Sequence, residues 1–171
     1  MDFDFYLDSF NKSASRLNQK RLHERQLEWR VGIKLNSVYL KLFKKSWTGD
    51  TNEPLTAESR IFFSIWVNGQ TIQQQKLFYN IHAFKLRKLK GYSIASRSFA
   101  KRFRDEFKEF QPGWQNVSVN FGPLTLMEGW EFYEPGNLEI VVEKLANNFL
   151  TIEHLVDDTL KVFKTKAVIH P

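Results

Sequence analysis

The stretch Leu27-Glu28-Trp29-Arg30-Val31-Gly32-Ile33-Lys34-Leu35 decides the fold. Apolar Leu27, Trp29, Val31, Ile33 and Leu35 alternate strictly with Glu28, Arg30, Gly32 and Lys34. Successive side chains of a strand point to opposite faces, so period two marks a half-buried strand. On a helix the same residues would scatter around the surface. The sequence just before has a different period. Phe3, Tyr6, Leu7, Phe10, Ala14 and Leu17 recur every three or four residues, which predicts a helix over residues 3–22.

Further strands follow. Asn36-Ser37 predicts a two-residue turn into a second strand over 38–47. There Val38, Leu40 and Leu42 face one way; Tyr39, Lys41, Phe43, Lys45 and Trp47 face the other. Gly49, Asp50, Asn52 and Pro54 mark a loop over 48–58. Ile61, Phe63, Ile65 and Val67 predict a third strand, with Asn68-Gly69 as a turn, and a fourth strand is expected over 76–90. Gly91 ends it. Ser93 or Ser96 is expected to cap a helix over 95–110 whose stripe is Phe99, Phe103, Phe107 and Phe110. Residues 116–133 read as strand, interrupted at Gly122-Pro123. Asn137 is expected to cap a last helix running from Leu138 to Phe163, with a break near Asn147-Asn148.

This order predicts an α+β fold, with one domain over residues 1–171. Its sheet has four or five mainly antiparallel strands in a meander, and an N-terminal, a middle and a long C-terminal helix pack on it.

Composition removes whole classes of chemistry. The 171 residues include no Cys. That excludes disulfide scaffolds, thiolate metal sites and cysteine nucleophiles. Gly is scarce, with 8 residues, and forms neither a phosphate loop nor a dinucleotide fingerprint. No Ser sits in a nucleophile elbow. His23, His82, His154 and His170 are the only imidazoles, and no pair has metal-ligand spacing. No metal and no cofactor is expected, and a non-catalytic role is favoured over an enzyme. His154 and Asp157 share a helix face, and Glu139 and Glu143 form an i,i+4 pair, but both pairs read as ordinary helix surface. No apolar run approaches the ~20 residues of a membrane helix. The acidic, aromatic start Met1 to Phe5 is unlike a targeting peptide, so a cytoplasmic protein is expected.

Charge is unevenly spread. Residues 1–104 hold 20 Lys and Arg against 8 Asp and Glu, whereas residues 105–158 hold 2 against 11. Residues 76–104 carry nine cations and no anion. A like-charged block repels itself unless something answers it. The answer is either the acidic segment 105–158 folded over it, an external polyanion, or a second copy of the chain.

The leading expectation is nucleic-acid binding, to DNA or RNA, through Lys85, Arg87, Lys88, Lys90, Arg97, Lys101, Arg102 and Arg104. The alternative is a protein-interaction or self-association domain using the basic and acidic halves, with a protein partner or a homo-oligomer. A third reading is a small-molecule pocket or enzyme around Tyr79, Asn80 and His82, because Asn80 and His82 interrupt an apolar strand face. Rings and cations also share a second sheet face, with Tyr39, Phe43 and Trp47 beside Lys41 and Lys45, and Phe62 and Trp66 opposite Ile61 and Phe63. Such a face suits stacked bases and phosphates. Burial of that face under the C-terminal helix is the favoured expectation.

Overall fold

The computed structural model describes residues 2–166; His170 lies outside them. Five strands form one antiparallel sheet in the order β1-β2-β3-β4-β5. They are β1 (Glu28–Lys34), β2 (Ser37–Phe43), β3 (Arg60–Asn68), β4 (Lys76–Phe84) and β5 (Thr125–Phe132). Helices α1 (Phe3–Arg16), α2 (Gln19–Glu24), α3 (Gly69–Gln73), α4 (Ser96–Phe107), α5 (Leu138–Phe149) and α6 (Glu153–Val162) complete the chain. The fold is α+β, and among the described residues no helix is long and apolar enough to cross a membrane.

Several boundaries differ from the sequence reading, each for a local reason. The expected first helix breaks at Leu17, which is extended, and Asn18 restarts it by accepting from the Arg21 N–H at 3.0 Å. The first hairpin turns at Leu35-Asn36, one residue earlier than expected. Lys34 pairs with Ser37, and both turn residues are left-handed, with φ of 50° and 59°. That is the turn whose twist matches the strands it joins. Asn68-Gly69 starts α3, where Asn68 and Thr71 cap each other reciprocally. β4 stops at Phe84 rather than residue 90, because Lys85 is left-handed and leads into a 3-10 turn. Ala95, not Ser93 or Ser96, occupies the cap position of α4, and the Asn137 side chain accepts from the Glu134 N–H instead of capping α5. Only Thr125–Phe132 of the expected strand 116–133 forms the fifth strand. The last helix divides at Leu150–Ile152, a few residues beyond the Asn pair.

All helices of the core lie on one sheet face. Val38, Leu40, Leu42, Ile61, Phe63, Ile65, Val67, Leu77, Tyr79, Ile81 and Ala83 project towards Phe10, Phe99, Phe103, Val142 and Phe149. The Phe63 and Phe149 rings stack at 4.4 Å, fixing α5 over the sheet centre. Tyr79 is fully buried there, its hydroxyl donating to the Gln115 carbonyl at 2.5 Å, and burial holds its pKa above the usual phenol value.

Polar groups also tie the halves of the chain together. Lys44 reaches Asp157 at 2.6 Å and Glu153 at 2.8 Å, and Trp47 Nε1 donates to Asp157 at 2.7 Å. Burial opposes the Lys44 charge, but the two carboxylates outweigh it and raise its pKa. His154 meets the edge of Phe110 and is no partner of Asp157 in that network.

Candidate functional site

The opposite sheet face carries the unexplained chemistry. The expectation that the C-terminal helix covers it fails, because α5 packs on the Phe63 side. Phe43 and Trp47 are nonetheless buried, and Trp47 meets Phe149. The remaining rings of the face surround a cavity of about 350 Å³. Every residue lining it belongs to a strand or to the β1–β2 hairpin.

Antiparallel pairing orders this face into rows. Gly32, Tyr39, Trp66, Phe78 and Trp130 stand opposite one another across all five strands. The next row is Arg30, Lys41, Ser64, Asn80 and Glu128. A third row holds Phe62, His82 and Thr125, and Arg60 pairs with Phe84 beyond it. A polar row therefore runs between aromatic ones. Rows on one face are two residues apart, about 6.8 Å along a strand. The two aromatic rows flank the polar one, so they lie four residues, about 13.6 Å, apart.

Lys41 is the central oddity. It is 7% exposed, and its ammonium lies 4.5 Å from the centres of both the Tyr39 and Phe62 rings. Among the described residues no carboxylate lies within ion-pair distance of it. Burial, then the charges of Lys34 and Arg60, push its pKa down to about 8. The rings return part of the lost hydration. A buried cation without a counterion is costly to the fold.

Asn80 is the second oddity. It is 3% exposed, its amide N–H donates to Glu128 Oε1 at 3.1 Å, and its carbonyl oxygen has no partner. His82 presents Nδ1 to the Leu124 carbonyl at 3.3 Å and to the Thr125 hydroxyl at 3.2 Å. Burial first, and Lys41 and Arg60 after it, lower its pKa, which keeps the ring neutral near pH 7. Tyr79, grouped with these two from the sequence, points into the core instead. Arg60, Ser64 and Glu128 also line the cavity and were not singled out from the sequence. Their signal was present only in the strand register, which sets them beside Phe84, Lys41 and Asn80.

The basic segment has a mixed fate. Lys85 and Lys88 both reach Glu58 at 2.8 Å and hold its carboxyl down to about 2. Lys101 pairs with Asp105 and Arg102 with Glu106 along α4. Arg104 turns inward and donates to the carbonyls of Phe121, Gly122, Thr125 and Leu126 at 2.8–3.1 Å. Arg87, Lys90 and Arg97 are exposed and without an ion pair among the described residues. Beyond Asp105 and Glu106, the acidic segment answers Arg16, Arg25 and Lys44 from the N-terminal half. Compared with protein-family models, with curated proteins and with solved structures, the chain matches none.

Proposed function

We propose that this protein binds single-stranded nucleic acid, with bases on the open sheet face and phosphates on the cations in and beside it. The observation that carries the reading is Lys41, buried between two rings on an uncovered face with no carboxylate of its own. Aromatic side chains stack bases of any identity, and cations track the backbone, so the two together suit a single strand. A duplex keeps its bases inside and would present no base faces to the rings of Tyr39, Trp66 and Phe84.

The basic segment extends this surface. Phe84 ends the open face of β4, and Lys85, Arg87, Lys88 and Lys90 follow it directly in the chain. Arg97, Lys101 and Arg102 are exposed on α4, which packs on the opposite sheet face, so phosphate contacts assigned to them lie apart from the open face. Arg104 is assigned to the loop it holds rather than to a ligand.

The test is fluorescence anisotropy with labelled single-stranded and duplex oligonucleotides of DNA and RNA, at low and at physiological salt. The expected result is preference for single strands and a steep loss of affinity with salt. Lys41→Met and Trp66→Ala are each expected to weaken binding at least about tenfold. Equal binding to duplex, or no binding at low salt, overturns the reading.

A further inference from the structure

The cavity around Asn80 is more selective than a stacking surface needs to be. Two side chains lining it are over nine-tenths buried: Asn80, whose carbonyl oxygen has no partner, and Lys41, whose ammonium makes no ion pair among the described residues. They belong to one row, separated by Ser64. Two strand spacings put them about 10 Å apart. A ligand filling both needs donors at one end and an anion at the other.

The donor end is well defined. Glu128 takes the Asn80 amide N–H, which fixes the orientation of that amide, since the reverse would set oxygen against carboxylate; the Asn80 oxygen is left buried and without a partner. The site thus offers the Asn80 oxygen and the Glu128 carboxylate, both acceptors only. Trp66 and Tyr39 stand in the row on one side of it, Phe62 and His82 in the row on the other. A ligand edge with several adjacent N–H donors complements these acceptors.

We infer that this cavity is a subsite for one guanine nucleotide, its base edge on Glu128 and Asn80 and its phosphate on Lys41. Among the four common bases, guanine alone presents a ring N–H and an exocyclic amino group side by side. Adenine and cytosine each set an acceptor beside their amino group, and the uracil N–H lies between two acceptors. Against an acceptor-only edge, those acceptors are left unpaired and facing like partial charge. Arg60 and Lys34 also line the cavity and add positive charge near the phosphate. The inference rests on the nucleic-acid reading and assigns it a base preference.

The experiment is calorimetric titration of the whole chain with GMP, AMP, CMP, UMP and inorganic phosphate. A short oligothymidine carrying one central guanosine is compared with the all-thymidine strand. GMP is expected to bind at least about tenfold more tightly than the other three, and the single guanosine to strengthen strand binding comparably. Glu128→Gln is expected to abolish the difference between GMP and AMP while leaving phosphate-dependent binding. Lys41→Met is expected to weaken all four nucleotides alike, and Lys41→Arg to restore them in part. Glu128 is only partly buried and, among the described residues, its one side-chain hydrogen bond is to Asn80, so the Gln variant is expected to keep its fold, and a melting curve checks this. GMP no tighter than AMP, or a preference that survives Glu128→Gln, overturns the subsite. Phosphate binding as tightly as GMP makes it an anion site only and also overturns it. If the thymidine strand still binds in either case, the stacking surface stands alone; if no strand binds, both readings fall.

Discussion

The Tyr39 ring lies across Gly32 on the neighbouring strand, so closely that a methyl group at residue 32 would stand 2.7 Å from the phenol oxygen. The pair is a cross-strand contact in which the missing side chain makes room for the ring. Gly32→Ala is therefore expected to move Tyr39, which is free to swing at its far end. Stability should change by less than about 1 kcal/mol, since only a partly exposed side chain must yield. Binding on the open face should weaken, because Tyr39 is one of the two rings holding Lys41. Urea unfolding and anisotropy on the same variant separate the two effects.

Gly129 offers the contrasting case on the core face. A methyl there would stand 2.6 Å from Tyr79 Cζ and 3.0 Å from the Asn116 carbonyl. Tyr79 is fully buried and tethered to Gln115, so it has nowhere to go. Gly129→Ala is expected to cost about 1–3 kcal/mol, the range for overpacking a core. A shift in the urea midpoint comparable to that of Gly32→Ala would show that Tyr79 is less confined than its contacts require.

Lys41 predicts a pH dependence with a definite sign. Its folded pKa of about 8 lies below the ordinary value of 10.5. Below pH 8 the amine is charged in both states and the cost of burying it is fully present. Between pH 8 and 10.5 the unfolded chain holds more protons, so stability from this group rises with pH. Lys41→Met is expected to melt higher than wild type at pH 7, with the gap shrinking towards pH 10. Anion binding should run the other way and decline as pH passes 8. A gap constant across this range would remove Lys41 from the account.

Arg104 tests the division of the basic block. Its guanidinium meets four carbonyls between residues 121 and 126, and its removal leaves partly buried acceptors unpaired. Arg104→Ala is expected to lower stability by about 1–3 kcal/mol. Arg87→Glu and Lys90→Glu, which break no ion pair among the described residues, should leave the melting temperature almost unchanged and weaken oligonucleotide binding. The reverse pattern would return Arg104 to the binding surface.

Period made the strands legible, as four or five, because alternation such as Trp29-Val31-Ile33 is a direct image of the pleat, and short connections gave their meander order. What it could not supply was register. Asn80 and His82 stood out as polar interruptions of one strand, but Glu128, Ser64 and Lys41 became their neighbours only through pairing across three other strands. Tyr79 was misplaced by grouping adjacent residues, which on a strand point to opposite faces. The 3-10 turn after Phe84 followed from one left-handed residue, Lys85, a type with no strong preference for that conformation. The fate of Arg104 depended on the Gly122-Pro123 interruption and the start of β5, whose carbonyls turn towards it.

The contact of α1 with α5 has a consequence for how the chain assembles. Each sheet strand pairs with the next in sequence, so the meander can grow hairpin by hairpin as it leaves the ribosome. The first helix has no such luxury. Tyr6 bonds Tyr133 across 127 residues, and Ser13 and Arg16 reach Glu139 across 126 and 123. The segment synthesised first meets β1 and β2 soon after, but completes its packing only when residues 133–149 arrive.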